Sequence, residues 1–415
     1  MLSARRRYLD KRTLTGPWQI TGVKRDDYAA AVIIPACDEE RWLFLTLDSL
    51  AKNCPQQRQE TLVLVVVNHP ADAARSIRIA NRRTLELFTA SPLRQGLQLG
   101  WIDACSDGFE LAEGGVGSAR KIGFDLALSR LGTDIDPLLI SLDADTLVEP
   151  NYLEEISRHF ASSRAGGCVL PFRHQAAKNE NMQRAIEHYE LYLYCYVIGL
   201  KLAGSPYAYH TIGSALACRT SAYIRCGGMN RRRGGEDFYF LQSLAKTSGV
   251  DNLAGTTVHP AGRLSNRVPF GTGPAIAGLL DNPETKLFYP LAAFSLLGRW
   301  LDLARQSPLL SGSELQSAAS RIDRRLGHFL HRLKLSEKWD RLRNNHRPED
   351  MNRSFDIWFD ALRSQQLLRF LCDHGFCERQ TAAAAIPEFF KVIGLKSSGD
   401  LKTDLEQLRH LRNCP

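Results

Sequence analysis

Leu139-Ile140-Ser141-Leu142-Asp143-Ala144-Asp145-Thr146 joins a short apolar run to two aspartates one residue apart. Such a run, closed by turn-forming residues, reads as a strand buried in a sheet. Parallel strands of open α/β sheets present their ligand sites at their carboxyl ends. Two carboxylates there, with small Ala144 between them, suit one hard divalent cation, Mg2+ or Mn2+, that also grips a diphosphate. A solvated acidic turn is the bland reading of the same residues.

The segments around this strand decide between the two. Ala29–Pro35 and Thr61–Asn68 are continuous β-branched runs, the pattern of strands covered on both faces of a parallel sheet. Glu39–Lys52 between them has helical spacing through Trp42, Leu43, Leu47 and Leu50. A third strand at Leu97–Ile102 leads through the glycine-rich Gly114–Ser118 into a helix at Ala119–Leu131. Glu149-Pro150 then opens a further helix, with proline in the permissive first turn. This alternation predicts an α/β fold with a doubly wound, mostly parallel sheet flanked by helices.

From about Asp281 onward no strand pattern remains. Leu287–Ala304, Ser313–Lys334 and Phe355–Leu371 carry amphipathic helical spacing. The expected organisation is a basic N-terminal segment (1–28), an α/β catalytic domain (29–274) and a C-terminal α-helical domain (275–415).

The 415 residues, 44% hydrophobic and 24% charged, have the composition of an ordinary globular protein. Lys and Arg exceed Asp and Glu by 53 − 45 = 8. That balance favours anionic ligands, but no nucleic-acid module is present, so no nucleic-acid partner is expected. Ten cysteines without a Cys-x-x-Cys pair argue against both a zinc site and a secreted disulfide framework. Met1–Arg12 lacks the apolar run of a signal peptide. The expected location is the cytoplasm. A peripheral contact with the inner membrane face is one use for the basic amphipathic stretch Arg321–Arg343, and packing or homo-oligomer contact is the other. Tyr189–Tyr196 reads as a buried helix.

Four short segments now stand in order. Ile34-Pro35-Ala36-Cys37-Asp38-Glu39-Glu40 closes the first strand, and Gly117-Ser118-Ala119-Arg120-Lys121-Ile122-Gly123 opens a helix. Leu142-Asp143-Ala144-Asp145-Thr146 ends a strand, and Gly227-Gly228-Met229 precedes Gly234-Gly235-Glu236-Asp237 at the start of a later helix. Over residues 28–270 this ordered set resembles the family 2 glycosyltransferases, which have a GT-A fold. The resemblance implies transfer of a sugar from a nucleotide-diphospho-sugar to an acceptor hydroxyl, inverting in most of the family. It implies that Pro35, Ala36 and Glu39 form the nucleotide turn, that Arg120 approaches the nucleotide, and that Asp143 and Asp145 hold Mn2+ or Mg2+ on the donor diphosphate. It further implies that Glu236-Asp237 stands at the catalytic base, with Asp237 the preferred group. His259 occupies the place of a further metal ligand.

The chemistry accounts for these residue types. Breaking a sugar–diphosphate bond builds negative charge that a divalent ion neutralises, and the attacking hydroxyl needs a carboxylate base. Arg263 and Arg267, in a loop after His259, are candidates to contact phosphate. Arg233, ending Arg231-Arg232-Arg233, is a candidate to contact an anionic acceptor.

The chain departs from the family where the second strand ends Val67-Asn68-His69-Pro70-Ala71-Asp72 in place of Asp-Asp-Gly-Ser. Asn68 becomes the candidate base contact, and the nucleotide stays open. The Gln-x-x-Arg-Trp motif of processive synthases is absent, which points to single sugar addition. Two rival readings remain: a nucleotidyltransferase, disfavoured by the acidic Asp38-Glu39-Glu40 turn, and a non-catalytic nucleotide-sugar-binding scaffold.

Overall fold

The computed structural model describes residues 2–90, 96–111, 115–264, 271–282 and 287–413. Ten strands are named in chain order: β1 Ile20–Thr21, β2 Ala30–Ala36, β3 Thr61–Asn68, β4 Gln98–Ala104, β5 Leu138–Ser141, β6 Leu147–Val148, β7 Gly167–Val169, β8 Leu216–Arg219, β9 Val250–Asn252 and β10 Val258–His259. Eight form one sheet in the order β1-β4-β3-β2-β5-β8-β7-β9. β2 pairs in parallel with β3 and β5, β3 with β4, and β7 with β9. β1, β8 and their partners run antiparallel. β10 and β6 make a separate two-stranded ladder in which His259 faces Leu147.

The chain folds in two compact units. The first comprises 1–183, 211–277 and 409–415, and its helices are α1 Leu2–Arg12, α2 Glu40–Leu50, α3 Pro55–Glu60, α4 Arg75–Ala90, α5 Val116–Ala127, α6 Tyr152–Ser162, the start of α7 Glu180–Leu202, α8 Thr220–Arg225 and α9 Glu236–Ser248. α5 and α4 cover opposite faces of the sheet. A Cβ on Gly123 of α5 would meet Ile33 and Val66, whereas Phe88 of α4 stacks on Trp101 at 5.6 Å, and Trp101 is in register with Val65. Neighbouring residues of a strand point to opposite faces, so the sheet is wound on both sides, as the continuous apolar β2 and β3 require.

The strand order reverses at β2: the chain steps outward to β3 and β4, then returns to place β5 on the other side. Carboxyl ends of adjacent strands at such a reversal leave a crevice between the connections on either side. Pro35–Glu39 follows β2 and Asp143–Asp145 follows β5, so both motifs lie at this crevice.

The first 28 residues are not a separate segment, contrary to the sequence reading. β1 extends the sheet beside β4. α1 docks through two polar anchors. Arg5, buried, donates to the carbonyls of Leu128 (3.1 Å), Leu131 (2.8 Å) and Gly132 (2.9 Å) just past α5. Tyr8 donates to Asp125 Oδ1 at 2.8 Å, and Lys121 closes the cluster onto Asp125 at 2.8 Å. Carbonyls beyond a helix end lack intrahelical donors, and a guanidinium fork satisfies several at once.

The second unit comprises 184–210 and 278–408. It takes in most of α7, including Tyr189–Tyr196, a stretch the sequence reading assigned to the catalytic domain. It also holds the end of α10 Thr272–Asp281, then α11 Leu291–Gln306, α12 Gly312–Ile322, α13 Arg324–Arg332, α14 Leu335–Asn345, α15 Met351–Trp358, α16 Ala361–Asp373, α17 Ala382–Val392 and most of α18 Leu401–Asn413. Its core centres on Trp300, Trp339 and Phe355, with ring centroids 5.6 and 6.0 Å from the phenylalanine.

Two expected helices are each broken by an aspartate. Asp323 caps α13 by accepting from Arg325 N, and Asp360 caps α16 by accepting from Arg363 N. The helix after Pro150 starts at Tyr152, with Asn151 ahead of it. Of the two uses considered for the amphipathic stretch Arg321–Arg343, packing is the one seen for its apolar face, since Leu326, Phe329 and Leu330 are buried. Among the described residues no helix is long and apolar enough to cross a membrane.

Candidate active site

β5 delivers the two aspartates, and neighbouring side chains hold the turn that carries them. Thr46 of α2 donates to Ala144 O at 2.9 Å. Gln175 Nε2 donates to Asp145 O at 3.0 Å and to His259 O at 2.8 Å, tying this turn to β10. With the backbone fixed, the two carboxylates face different cations.

Asp143 and Glu236 both accept from Arg120, on Nη2 and Nη1 respectively. Arg120 is carried by the first turns of α5 and is 2% exposed. Its guanidinium lies against Gly213, where a Cβ would overlap it, so this close approach needs glycine. Burial works against the charge on Arg120, but Asp143, Glu236 and Asp237 more than restore it and leave its pKa raised. Glu236 is 3% exposed. Its carboxyl is raised first by burial and then by Asp143, against the pull of Arg120.

Gly235, at φ 71° in the left-handed region, starts α9 and turns Glu236 and Asp237 inward. Asn230 Nδ2 donates to Glu236 O at 2.8 Å, pinning this entry. Asp237 is half-buried, and its carboxyl is pushed up to about 7, by burial first and by the adjacent Glu236 second. A carboxyl poised there exchanges a proton near neutrality, the property required of a base.

On the β2 side, Pro35 and Ala36 belong to the strand itself, and the turn begins at Cys37. Asp38 adopts φ 56°, with its N–H bonded to Asn81 Oδ1 at 2.9 Å. Glu39, 7% exposed, precedes α2. Arg263 links this side to the aspartates: Nε and Nη2 reach Asp145 Oδ2 at 2.9 and 2.7 Å, and Nη2 also donates to Glu39. The same guanidinium lies 5.3 Å from the Trp42 ring centroid. Burial disfavours its charge, and Asp145 and Glu39 outweigh that.

Two sequence expectations change here. Asn68 is 5% exposed, and its amide nitrogen donates to Ala36 O (3.2 Å) and Val66 O (3.0 Å), so it ties β3 to β2 and has no amide proton left for a base. His259 does not join the aspartates. Its ring nitrogens face Glu149 Oε1 at 2.8 Å and Arg173 O at 3.2 Å. Arg267 lies outside the described residues. Arg231, Arg232 and Arg233 are exposed beside the site. Arg233 packs on Gly115 and Arg232 on Gly117 at the start of α5, while Arg232 stacks on Tyr239 at 3.8 Å. Gly213, Gln175 and Asn81 were not singled out from sequence, and Trp42 entered only through the helical spacing of Glu39–Lys52. A lone glycine, glutamine or asparagine carries no spacing signal.

Among the described residues no group of three or more His, Cys, Asp and Glu is gathered to hold a metal. The donor set still suits a hard cation. Asp143 and Asp145 offer carboxylate oxygens, and Asp145 together with Glu39 already brackets a cationic group, the Arg263 guanidinium.

No protein-family model matches the chain, and no curated protein matches it. Solved structures similar to it include S. aureus TarS 1–349, 13% identical over 78% of this chain and 91% of that one, TM-score 0.39. The same protein in complex with UDP-GlcNAc is 12% identical over 92% and 90%, TM-score 0.38. The mannosyltransferase PcManGT from Pyrobaculum calidifontis, in complex with GDP-Man and Mn2+, is 13% identical over 99% and 95%, TM-score 0.37. All three scores lie below 0.5, so the chemistry rests on the residues themselves.

Proposed function

We propose that this protein is a glycosyltransferase of GT-A type, resembling family 2, that moves a single sugar from a nucleotide-diphospho-sugar to an acceptor hydroxyl with inversion. The observation that carries the reading is the convergence on Arg120 of motifs 116 and 23 residues away, Glu236 and Asp143. They meet at the crevice where the strand order reverses.

Asp143 and Asp145 would hold Mn2+ or Mg2+. When bound, the ion supplies positive charge to the diphosphate as it leaves. Asp237 accepts the proton of the attacking hydroxyl, whose oxygen bonds to the anomeric carbon as the bond from that carbon to the diphosphate breaks. Glu236 raises the basicity of Asp237 through its adjacent charge. Arg120 fixes Glu236 and Asp143 in one frame, so the base and the donor end of the site keep their spacing. The exposed Arg231–Arg233 run beside Asp237 favours an acceptor bearing phosphate or carboxylate.

The test is a thermal-shift screen of the full chain against UDP-, GDP-, CDP- and dTDP-sugars with and without Mn2+. A metal-requiring rise with one nucleotide, lost in Asp143→Asn, is expected. No rise with any donor overturns the reading.

A further inference from the structure

Two arginines on different elements divide the Asp-x-Asp pair. Arg120 is buried on α5 and held by Glu236 as well as Asp143, so it belongs to the frame. Arg263 differs. It comes from the connection after β10, its side chain is 23% exposed, and both of its Asp145 contacts fall on one oxygen, Oδ2. Its Nη2 is shared with Glu39, and its plane rests beside Trp42. A cation ligated by Asp145 competes with this guanidinium for the same carboxylate charge, and for Oδ2 directly.

We propose that Arg263 is a built-in competitor for the divalent cation: it latches Asp145 to Glu39 in the ligand-free protein and must let go before the metal binds. The proposal rests on reading Asp143 and Asp145 as the metal and diphosphate site. Metal alone then binds weakly, because its apparent affinity is divided by the ratio of latched to unlatched protein. A partly exposed two-carboxylate latch is worth about tenfold in that ratio. Donor entry changes the balance, since a released guanidinium finds a diphosphate as its new anionic partner. Metal and donor therefore favour each other's binding, and linkage makes the effect equal in both directions. The latch keeps the site from filling with bare cation and ties its opening to the arrival of a diphosphate.

The experiment is a Mn2+ titration of the full chain without nucleotide, read from the electron paramagnetic resonance signal of free Mn2+. Arg263→Gln is expected to bind Mn2+ about tenfold more tightly than the parent. Arg263→Lys keeps the charge, which protects folding, but a single ammonium cannot fork across both carboxylates. It is expected to gain about threefold. Asp145→Asn is expected to lose binding. A second titration in the presence of UDP or GDP should show the nucleotide tightening Mn2+ more in the parent than in Arg263→Gln. If Asp145→Asn loses Mn2+ while Arg263→Gln and Arg263→Lys match the parent, the latch is wrong and the metal site stands. If no protein binds Mn2+, Arg263→Gln included, the latch and the metal reading fall together.

Discussion

Replacing Arg120 with alanine removes a guanidinium that Asp143 and Glu236 both hold and that lowers the carboxyl of Asp237. Taking one partner from a buried ion pair costs about 3–5 kcal/mol, because the remaining charge stays buried without compensation. Glu236 is fully in that situation, at 4% side-chain exposure, but Asp143 is 35% exposed and water takes part of the load. The expected loss at pH 8 is therefore at the low end, about 3 kcal/mol. It should depend on pH, because protonation relieves the repulsion among the three acids. Burial already raises Glu236 and Asp237 above ordinary carboxyl values, and losing Arg120 raises both further. A carboxyl raised in the folded state binds more protons than in the unfolded chain, so the variant gains stability as pH falls through that window. At pH 5 the loss should shrink to about half. The assay is urea unfolding of parent and variant at both pH values, with Trp42 and Trp101 of the same unit as fluorescent reporters. A loss below ~1 kcal/mol at pH 8, or the same loss at pH 5, would refute a buried cluster of three acids around Arg120.

Three further outcomes follow from the site. Asp237→Asn should keep metal-dependent donor binding in the thermal-shift assay and lose transfer by at least about a hundredfold, and the parent's rate should climb as pH rises through about 7. An unchanged rate in the variant removes Asp237 as base. Gly213→Ala should place a methyl group against the Arg120 guanidinium and cut transfer severalfold or more, while the melting temperature falls by only a few degrees; full activity would mean that Arg120 has room to spare. Chelation of divalent ions should abolish both transfer and the donor-induced shift, with recovery on adding Mn2+, whereas persistent transfer would show that the carboxylates work without metal.

Much of this was legible because strand interiors and motif positions obey simple rules. Leu62–Val67 is apolar throughout since β3 is covered on both faces, and the strand occupies Thr61–Asn68 as read. Asp143–Asp145 and Glu236–Asp237 stood out in the sequence because each sits at the end of one element or the start of another. What escaped was held by polar side chains with no periodicity. α1 docks through Arg5 and Tyr8, so no apolar stripe announced that it belongs to the sheet unit. Asn68 was taken as a ligand contact because it ends a strand, yet its side chain satisfies two carbonyls next to it. His259 sits at a strand end too, but register with Leu147 and the nearby Glu149 decide its partners. The breaks at Asp323 and Asp360 did carry a signal, since aspartate is a strong helix-capping residue. Amphipathic spacing on both sides of each masked the stop.

The raised carboxyl of Asp237 also implies that the site is kept at the expense of stability. In the unfolded chain this group titrates near 3.8, and in the folded protein near 7. Between those values the folded state binds more protons, so stability falls as pH climbs from about 4 to about 7 and stays reduced above. The full difference corresponds to ~4 kcal/mol, a ceiling that Arg120, solvent and coupling to Glu236 bring down to about 1–2 kcal/mol. Asparagine has nearly the same shape and no charge to bury. Asp237→Asn should therefore be more stable than the parent at pH 8, by that amount, and indistinguishable from it at pH 4. This sign separates a catalytic carboxylate from a helix-capping one. An acid that merely stabilised the start of α9 through the helix dipole would have a lowered carboxyl, and its amide would be the less stable protein at pH 8. Urea unfolding of the two proteins at pH 4 and pH 8 decides the matter. A less stable amide at pH 8 would return Asp237 to the structural role.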